Sequence, residues 1–293
     1  MAKKNQYKKA GREMTFPYTS GLLRKDMTLE QMRYLVTELT EEEKKSPFAE
    51  LYYERFPEKT AEQEAAYTAP LSQDQMYMPC DCGKIMIEHQ EDYPSLGYGC
   101  MENGVGYAAI RIDQDGVTDE MIREYRDHYS IDPKHRDIFY KNWCPGKHVR
   151  HFEDGVLEDF GYGMMVLEMD WDIYSLQHAG ITKDYLEEKD PNAIAFMLCG
   201  GEGFMLWAPE RTQHSVMVSY TTDTGIGRKV FIHFWVGVKP GPDGTVIIEP
   251  AGTKGEVEGM MRHQYNHCVT EYSRQLKQMK EFWNQNHPDQ KIE

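Results

Sequence analysis

Between Thr28 and Lys45 the apolar residues Met32, Leu35, Val36 and Leu39 fall on one side of a helix, behind a Thr28 that can cap and a Glu30 in the first turn. That spacing predicts an amphipathic helix over 28–45. From Pro57 to Pro70 no period-2 alternation survives among the prolines, glutamates and alanines, which predicts irregular chain with at most a helical turn. Gly106 to Ile112 reads as a strand ending at an Asp113–Gly116 turn, followed by a helix that Thr118 caps and that buries Met121, Ile122, Tyr125 and His128 on one face. A second short helix is expected from Pro133 to about Tyr140. Beyond Pro145-Gly146 strand follows strand: 148–152, 156–160, 164–171, 193–199, 204–207, 215–220, 229–238 and 245–249. Turns are expected at Gly200-Gly201, Gly225-Ile226-Gly227 and Pro240–Gly244. The chain closes with a long helix over about 254–284, rich in strong helix formers.

This order predicts an α+β fold. A small, mainly helical or irregular region over 1–95 precedes a domain over 96–293 in which a curved antiparallel sheet wraps a long C-terminal helix. One strand, two short helices, a meander and a terminal helix is the element order of a helix-grip (Bet v 1-like) domain, and a cavity between sheet and helix is a common ligand site. Fold alone does not name the ligand.

The 293 residues carry 48 acidic and 33 basic side chains, a net charge of −15 that repels phosphate backbones and anionic lipid, so neither nucleic acid nor a membrane is an expected partner. The basic residues Lys3, Lys4, Lys8, Lys9 and Arg12 are followed by no apolar core and read as a solvated tail rather than a secretory signal. The longest apolar run, Val230 to Val238, is too short for a bilayer. A cytoplasmic protein is expected. The six cysteines are then reduced thiols, and Cys80-Asp81-Cys82, with the wrong spacing for a zinc knuckle, reads as loop.

On the long helix His263, His267 and Glu271 recur every four residues, each about 6 Å further along the axis. An imidazole and a carboxylate one turn apart can both reach one cation; the same stripe could equally face water. His128 lies on an apolar helix face, where an unpaired imidazole must be desolvated. Glu158 alternates with Val156 and Phe160, so either that face is wet or a carboxylate is buried with a partner, unless the strand is phased one residue the other way. Together His128, Glu158, His267 and Glu271 make two nitrogen and two oxygen donors.

On these residues, together with Gly104-Val105-Gly106-Tyr107, Thr118–Ile122 running to His128, Gly155–Gly161 and Phe234–Gly237, the segment from Leu96 to Glu293 resembles the phloretin hydrolase and 2,4-diacetylphloroglucinol hydrolase family. The resemblance implies zinc held by His128, Glu158, His267 and Glu271, with His263 extra to the pattern. It further implies a homodimer and a hydrolase acting on carbon–carbon bonds in a small aromatic ketone. The substrate would be phloretin, giving phloroglucinol and phloretic acid, or diacetylphloroglucinol, giving its monoacetyl form and acetate. It also makes His214 a candidate proton shuttle. Tyr125, one turn before His128, is a candidate to bond substrate hydroxyls or act in proton transfer. A non-catalytic helix-grip carrier of a hydrophobic aromatic ligand is the competing reading. It has no use for inward carboxylates and imidazoles, each costly to bury unpaired. Iron in place of zinc is a third reading that an oxygen-rich donor set allows.

Overall fold

A computed structural model describes residues 6–8, 28–130, 136–151, 155–161, 163–170 and 173–292. The expected start of a helix at Pro133, most of the basic tail and the expected strand ends at Phe152 and Trp171 lie outside these residues. In chain order the elements are β1 (Gln6–Lys8), α1 (Leu29–Met32), α2 (Ala49–Tyr52), α3 (Ala61–Thr68), α4 (Pro79–Glu88), β2 (Gly97–Cys100), β3 (Gly106–Asp115), α5 (Asp119–Ser130) and α6 (Arg136–Trp143). Then follow β4 (His148–His151), β5 (Gly155–Asp159), β6 (Met164–Asp170), α7 (Lys183–Lys189), β7 (Ala193–Met205), β8 (Ala208–Asp223), β9 (Gly227–Val236), β10 (Val238–Pro240), β11 (Val246–Ile248) and α8 (Lys254–Asn286).

The fold is mixed α+β, built on one large antiparallel sheet and a C-terminal helix. Strands β4 to β9 pair in sequence as a meander, β3 and β2 extend it beyond β9, and β1 pairs with β7. β10 and β11, the latter covering the expected 245–249 strand, form a separate two-stranded sheet.

Three expectations fail for identifiable reasons. The helix over 28–45 stops at Met32, because Thr28 caps through Gln31 and Thr40 repeats the arrangement through Glu43, so two short starts replace one long run. Met32 and Leu39 enter different hydrophobic clusters. Gly200-Gly201 is no turn: β7 runs straight through it. A Cβ on Gly200 would stand 2.0 Å from the Tyr174 ring, and one on Gly201 1.7 Å from the Glu168 carbonyl oxygen. These glycines therefore permit close approach rather than chain reversal. Cys80 and Cys82 likewise lie on α4, which Pro79 opens, and not in a loop.

Alternation assigns the two faces of the sheet. Met217, Ser219 and Thr221 of β8 and Val230, Ile232 and Phe234 of β9 face α8 and border a cavity of about 310 Å³. Their neighbours Val216, Val218, Phe231 and Trp235 pack on the other face with Tyr77, Cys82 and Met86, from α4 and the chain before it. On that second face His233 Nδ1 meets the hydroxyls of Tyr77 and Tyr107 at 2.8 and 3.1 Å.

Helix α8 opens with a capping box between Thr253 and Glu256 and buries Val257, Met261, Tyr265 and Cys268 against β2 and β3. Further along, Met279 and Trp283 pack with α5 and α6. From residue 267 to 278 it also buries the polar side chains of His267, Glu271, Arg274 and Gln278, beside Cys268 and Val269. Arg274, fully buried, donates to the carbonyls of Asn142, Glu54, Leu51 and Tyr52, tying the N-terminal segment to α6 and α8.

Candidate metal centre

Three stretches of chain deliver the site. α6 ends with Tyr140 in its last turn and Cys144 just beyond. The chain then reverses at Gly146, whose φ of 78° suits glycine, and Lys147 and His148 return their amides to the Cys144 carbonyl. β4 starts at His148, opposite Glu158 of β5, with a bulge between His148 and Arg150. From the other side α8 presents His267 and Glu271 one turn apart.

The geometry is close-knit. His148 Nε2 lies 3.1 Å from His267 Nε2 and 3.1 Å from Glu271 Oε2. Glu158 Oε1 is 3.7 Å from His148 Nε2, and Glu158 Oε2 is 3.6 Å from His267 Nε2. Glu271 Oε2 is 3.5 Å from His267 Nε2, and Cys144 Sγ is 3.7 Å from His267 Nδ1. All five side chains are buried. His148 Nδ1 sits 2.8 Å from the Tyr140 carbonyl, which can only accept, so Nδ1 carries the proton. In the neutral ring Nε2 then presents its lone pair to the cluster, the arrangement that orients metal-binding histidines. The Tyr140 ring stacks on His148 at 3.9 Å, and its hydroxyl donates to Glu158 Oε1.

Two buried carboxylates beside two imidazoles create a demand for positive charge. Burial opposes ionisation of His267, but Cys144, Glu271 and Glu158 outweigh it and hold its pKa well above the ordinary value. Burial would raise Glu271; His267 and the bonds from both histidines bring it down to about 2. Burial, with Glu158 and Glu271 adding to it, pushes the Tyr140 phenol far up, so it stays protonated and donating. Cys144, His148 and His267 form a buried group that could hold a metal ion.

The cluster opens into the cavity, which Glu158, His267, Glu271 and Tyr140 line together with apolar side chains of the sheet. Residues 81–155 match the family model described as the DAPG hydrolase PhiG domain. That match supports the DAPG hydrolase family. No curated protein matches the chain. The stretch matching the DAPG hydrolase domain runs from α4 to the start of β5. It holds Tyr140, Cys144 and His148, while Glu158, His267 and Glu271 follow it in the chain. The match points to a hydrolase.

The expected site residues sort clearly in the structure. Glu158, His267 and Glu271 come together. His128 does not join them: its exposed ring packs on Phe48 and, at 4.8 Å, on Phe282, eleven residues beyond Glu271 and about 16 Å along α8. His148 stands where a second imidazole was expected. Tyr125 does line the cavity, donating its hydroxyl to Gln278 Oε1 at 3.3 Å. His214 does not line it. The residue shares the parity of Val216 and Val218, so it sits on the other face of the sheet between Glu202 and Glu249, at 3.6 and 3.3 Å. His263 stacks near His267, ring centroids 6.3 Å apart, with its pKa lowered to about 4 by burial and by Lys147. Among the described residues no helix is long and apolar enough to cross a membrane.

Proposed function

We propose that the chain is a zinc-dependent hydrolase of acylphloroglucinols, cleaving the bond between the acyl carbon and the ring. The observation that carries this reading is the pair of facing Nε2 atoms 3.1 Å apart, flanked by two buried carboxylates, in a chain matching a DAPG hydrolase domain. Two lone pairs at that distance repel unless a proton or a cation lies among them. The donor set of two imidazoles and two carboxylates, with Cys144 adjacent, suits zinc. His148, Glu158, His267 and Glu271 would hold it, so the catalytic domain falls within 96–293. Zinc held there would supply Lewis acidity and would lower the pKa of water.

The protein's own groups do the rest. Water adds its hydroxyl to the acyl carbon and the carbon–ring bond breaks. The bond's electron pair passes into the ring as an enolate, whose oxygen takes up the proton released by the water, leaving a carboxylic acid and a phloroglucinol. Protonation of the acyl-bearing ring carbon before cleavage turns the aryl ketone into a β-diketone-like form, which makes the carbon leaving group tolerable. His151 lines the cavity with its ring edge-on to Tyr140 at 5.3 Å, and it is the side chain assigned to carry the proton, in place of His214. Tyr125 bonds a ring hydroxyl, while Tyr140 holds Glu158 in place. The apolar walls exclude bulk water and strengthen each of these interactions.

The test is metal analysis of protein purified without chelator, followed by phloroglucinol release on adding zinc or iron to the apoprotein. Stoichiometric zinc with zinc-restored release supports the reading. A protein that binds the ketone without metal and without turnover is a carrier.

A further inference from the structure

Both histidines of the cluster turn Nε2 inward, and each has a second nitrogen that must be answered from outside. For His148 the answer is the Tyr140 carbonyl, 2.8 Å from Nδ1. For His267 it is the buried Cys144, whose Sγ stands 3.7 Å from Nδ1. Tyr140 and Cys144 lie four residues apart where α6 ends, and from the same turn the Tyr140 hydroxyl donates to Glu158. This corner is itself held in place. The Cys144 carbonyl takes the amides of Lys147 and His148, and Arg274 of α8 donates through Nε to the Asn142 carbonyl at 2.6 Å.

Which nitrogen of His267 faces an ion decides what Cys144 can do. Around Nε2 stand His148 Nε2 at 3.1 Å, Glu271 Oε2 at 3.5 Å and Glu158 Oε2 at 3.6 Å, whereas Nδ1 faces the sulfur. The two nitrogens lie on different edges of the ring, so an ion among the carboxylates takes Nε2 and leaves the proton on Nδ1. That proton is aimed at Sγ, a weak acceptor. An ion held instead by Cys144, His148 and Nδ1 of His267 would leave both carboxylates gathered at Nε2, buried and without it.

We infer that Cys144 is a positioning residue: its sulfur accepts a hydrogen bond from Nδ1–H of His267, fixes the tautomer that turns Nε2 toward the two carboxylates, and stays outside the coordination sphere. This rests on the metal-dependent reading above and adds to it the device that orients the second imidazole. The end of α6 thereby orients three of the four donors, His148, Glu158 and His267, while Glu271 is set by its place on α8.

The experiment loads the full-length protein with zinc and reads X-ray absorption at the zinc edge. Nitrogen and oxygen neighbours at about 2.0–2.2 Å with no sulfur shell at about 2.3 Å are expected, and a sulfur shell overturns the inference. Competition against a chelator of known zinc affinity then compares the parent with two folded variants. Cys144→Ala removes the acceptor and should bind zinc about 10-fold more weakly, the lower end of what losing such an outer partner costs. Cys144→Ser keeps an acceptor and should stay within about 3-fold of the parent. Unchanged affinity in Cys144→Ala overturns the inference, and so does an equal or larger loss in Cys144→Ser, which would mark the sulfur as packing. Zinc bound without ketone hydrolysis sinks the proposed function and leaves the inference to the sulfur test; a protein that takes up no divalent ion overturns the inference as well.

Discussion

His267 and His233 are both more than nine-tenths buried, one against each face of the sheet, yet burial leaves them in opposite protonation regimes. Around His233 stand phenols: Tyr77 and Tyr107 hold its Nδ1, no charge balances it, and burial takes its pKa down to about 3. Around His267 stand Glu158 and Glu271, with Cys144 beside them, and the ring is held protonated in the absence of a cation. The same residue type in equally dry surroundings is thus a neutral packing element on one face and, on the other, a member of a group that could hold a metal ion. The neighbouring carboxylates, not the depth, separate the two.

The comparison breaks most sharply at the metal cluster. Replacing His267 or Glu158 by Ala should remove the metal and lower kcat/KM at least about 100-fold, or roughly 3 kcal/mol of transition-state stabilisation. Metal content and turnover are measured together, and full turnover in either variant ends the four-donor arrangement. His233→Leu should leave the metal in place. It strips a partner from the two buried phenols and should cost about 1–3 kcal/mol in urea unfolding. Loss of metal in that variant would show that the two faces are coupled.

Acidity sharpens the contrast further. Between about pH 3 and 6.5 the unfolded chain binds a proton at His233 that the folded chain refuses, so this residue makes stability rise with pH across that window. His267 acts the other way in the metal-free protein. Its folded pKa is raised, so its contribution is complete below 6.5 and fades as pH climbs through the folded value. Chelator-treated protein should therefore lose stability above neutrality, a loss that zinc abolishes, whereas His233→Leu should flatten only the acidic limb. The smallest effect is expected from His263→Ala: it sits one turn from His267 outside the donor set, so metal content should be unchanged and activity should fall by less than about 3-fold.

Much of this was legible in the chain. The four-residue spacing of His267 and Glu271 needs nothing but a helix, and the phase of β5 that turns Glu158 inward follows from Val156 sharing its face. The second imidazole was not legible from local pattern. His128 sits on an amphipathic helix whose end carries it past the cluster, while His148 enters because a hairpin with a bulge sets it opposite Glu158. The hairpin was predictable from the strands either side of it; the choice among the histidines needed that cross-strand register. His214 failed for a similar reason, since one residue of parity decides which side of a strand a ring occupies. Gly200-Gly201 misled because glycine that admits a neighbour and glycine that turns a chain look alike in sequence.

Arg274 bears on how the molecule could be trimmed. Three of the four carbonyls that receive its guanidinium belong to residues 51, 52 and 54, so the earliest segment answers a charge lodged one turn beyond Glu271. Cutting the chain at 95 would abandon that cation in the interior with a single acceptor, immediately beside the helix turn that positions Glu271. The first hundred residues are in this sense a counterweight to the last helix, and an excised C-terminal fragment would be expected to misplace its own buried cluster of histidines and carboxylates.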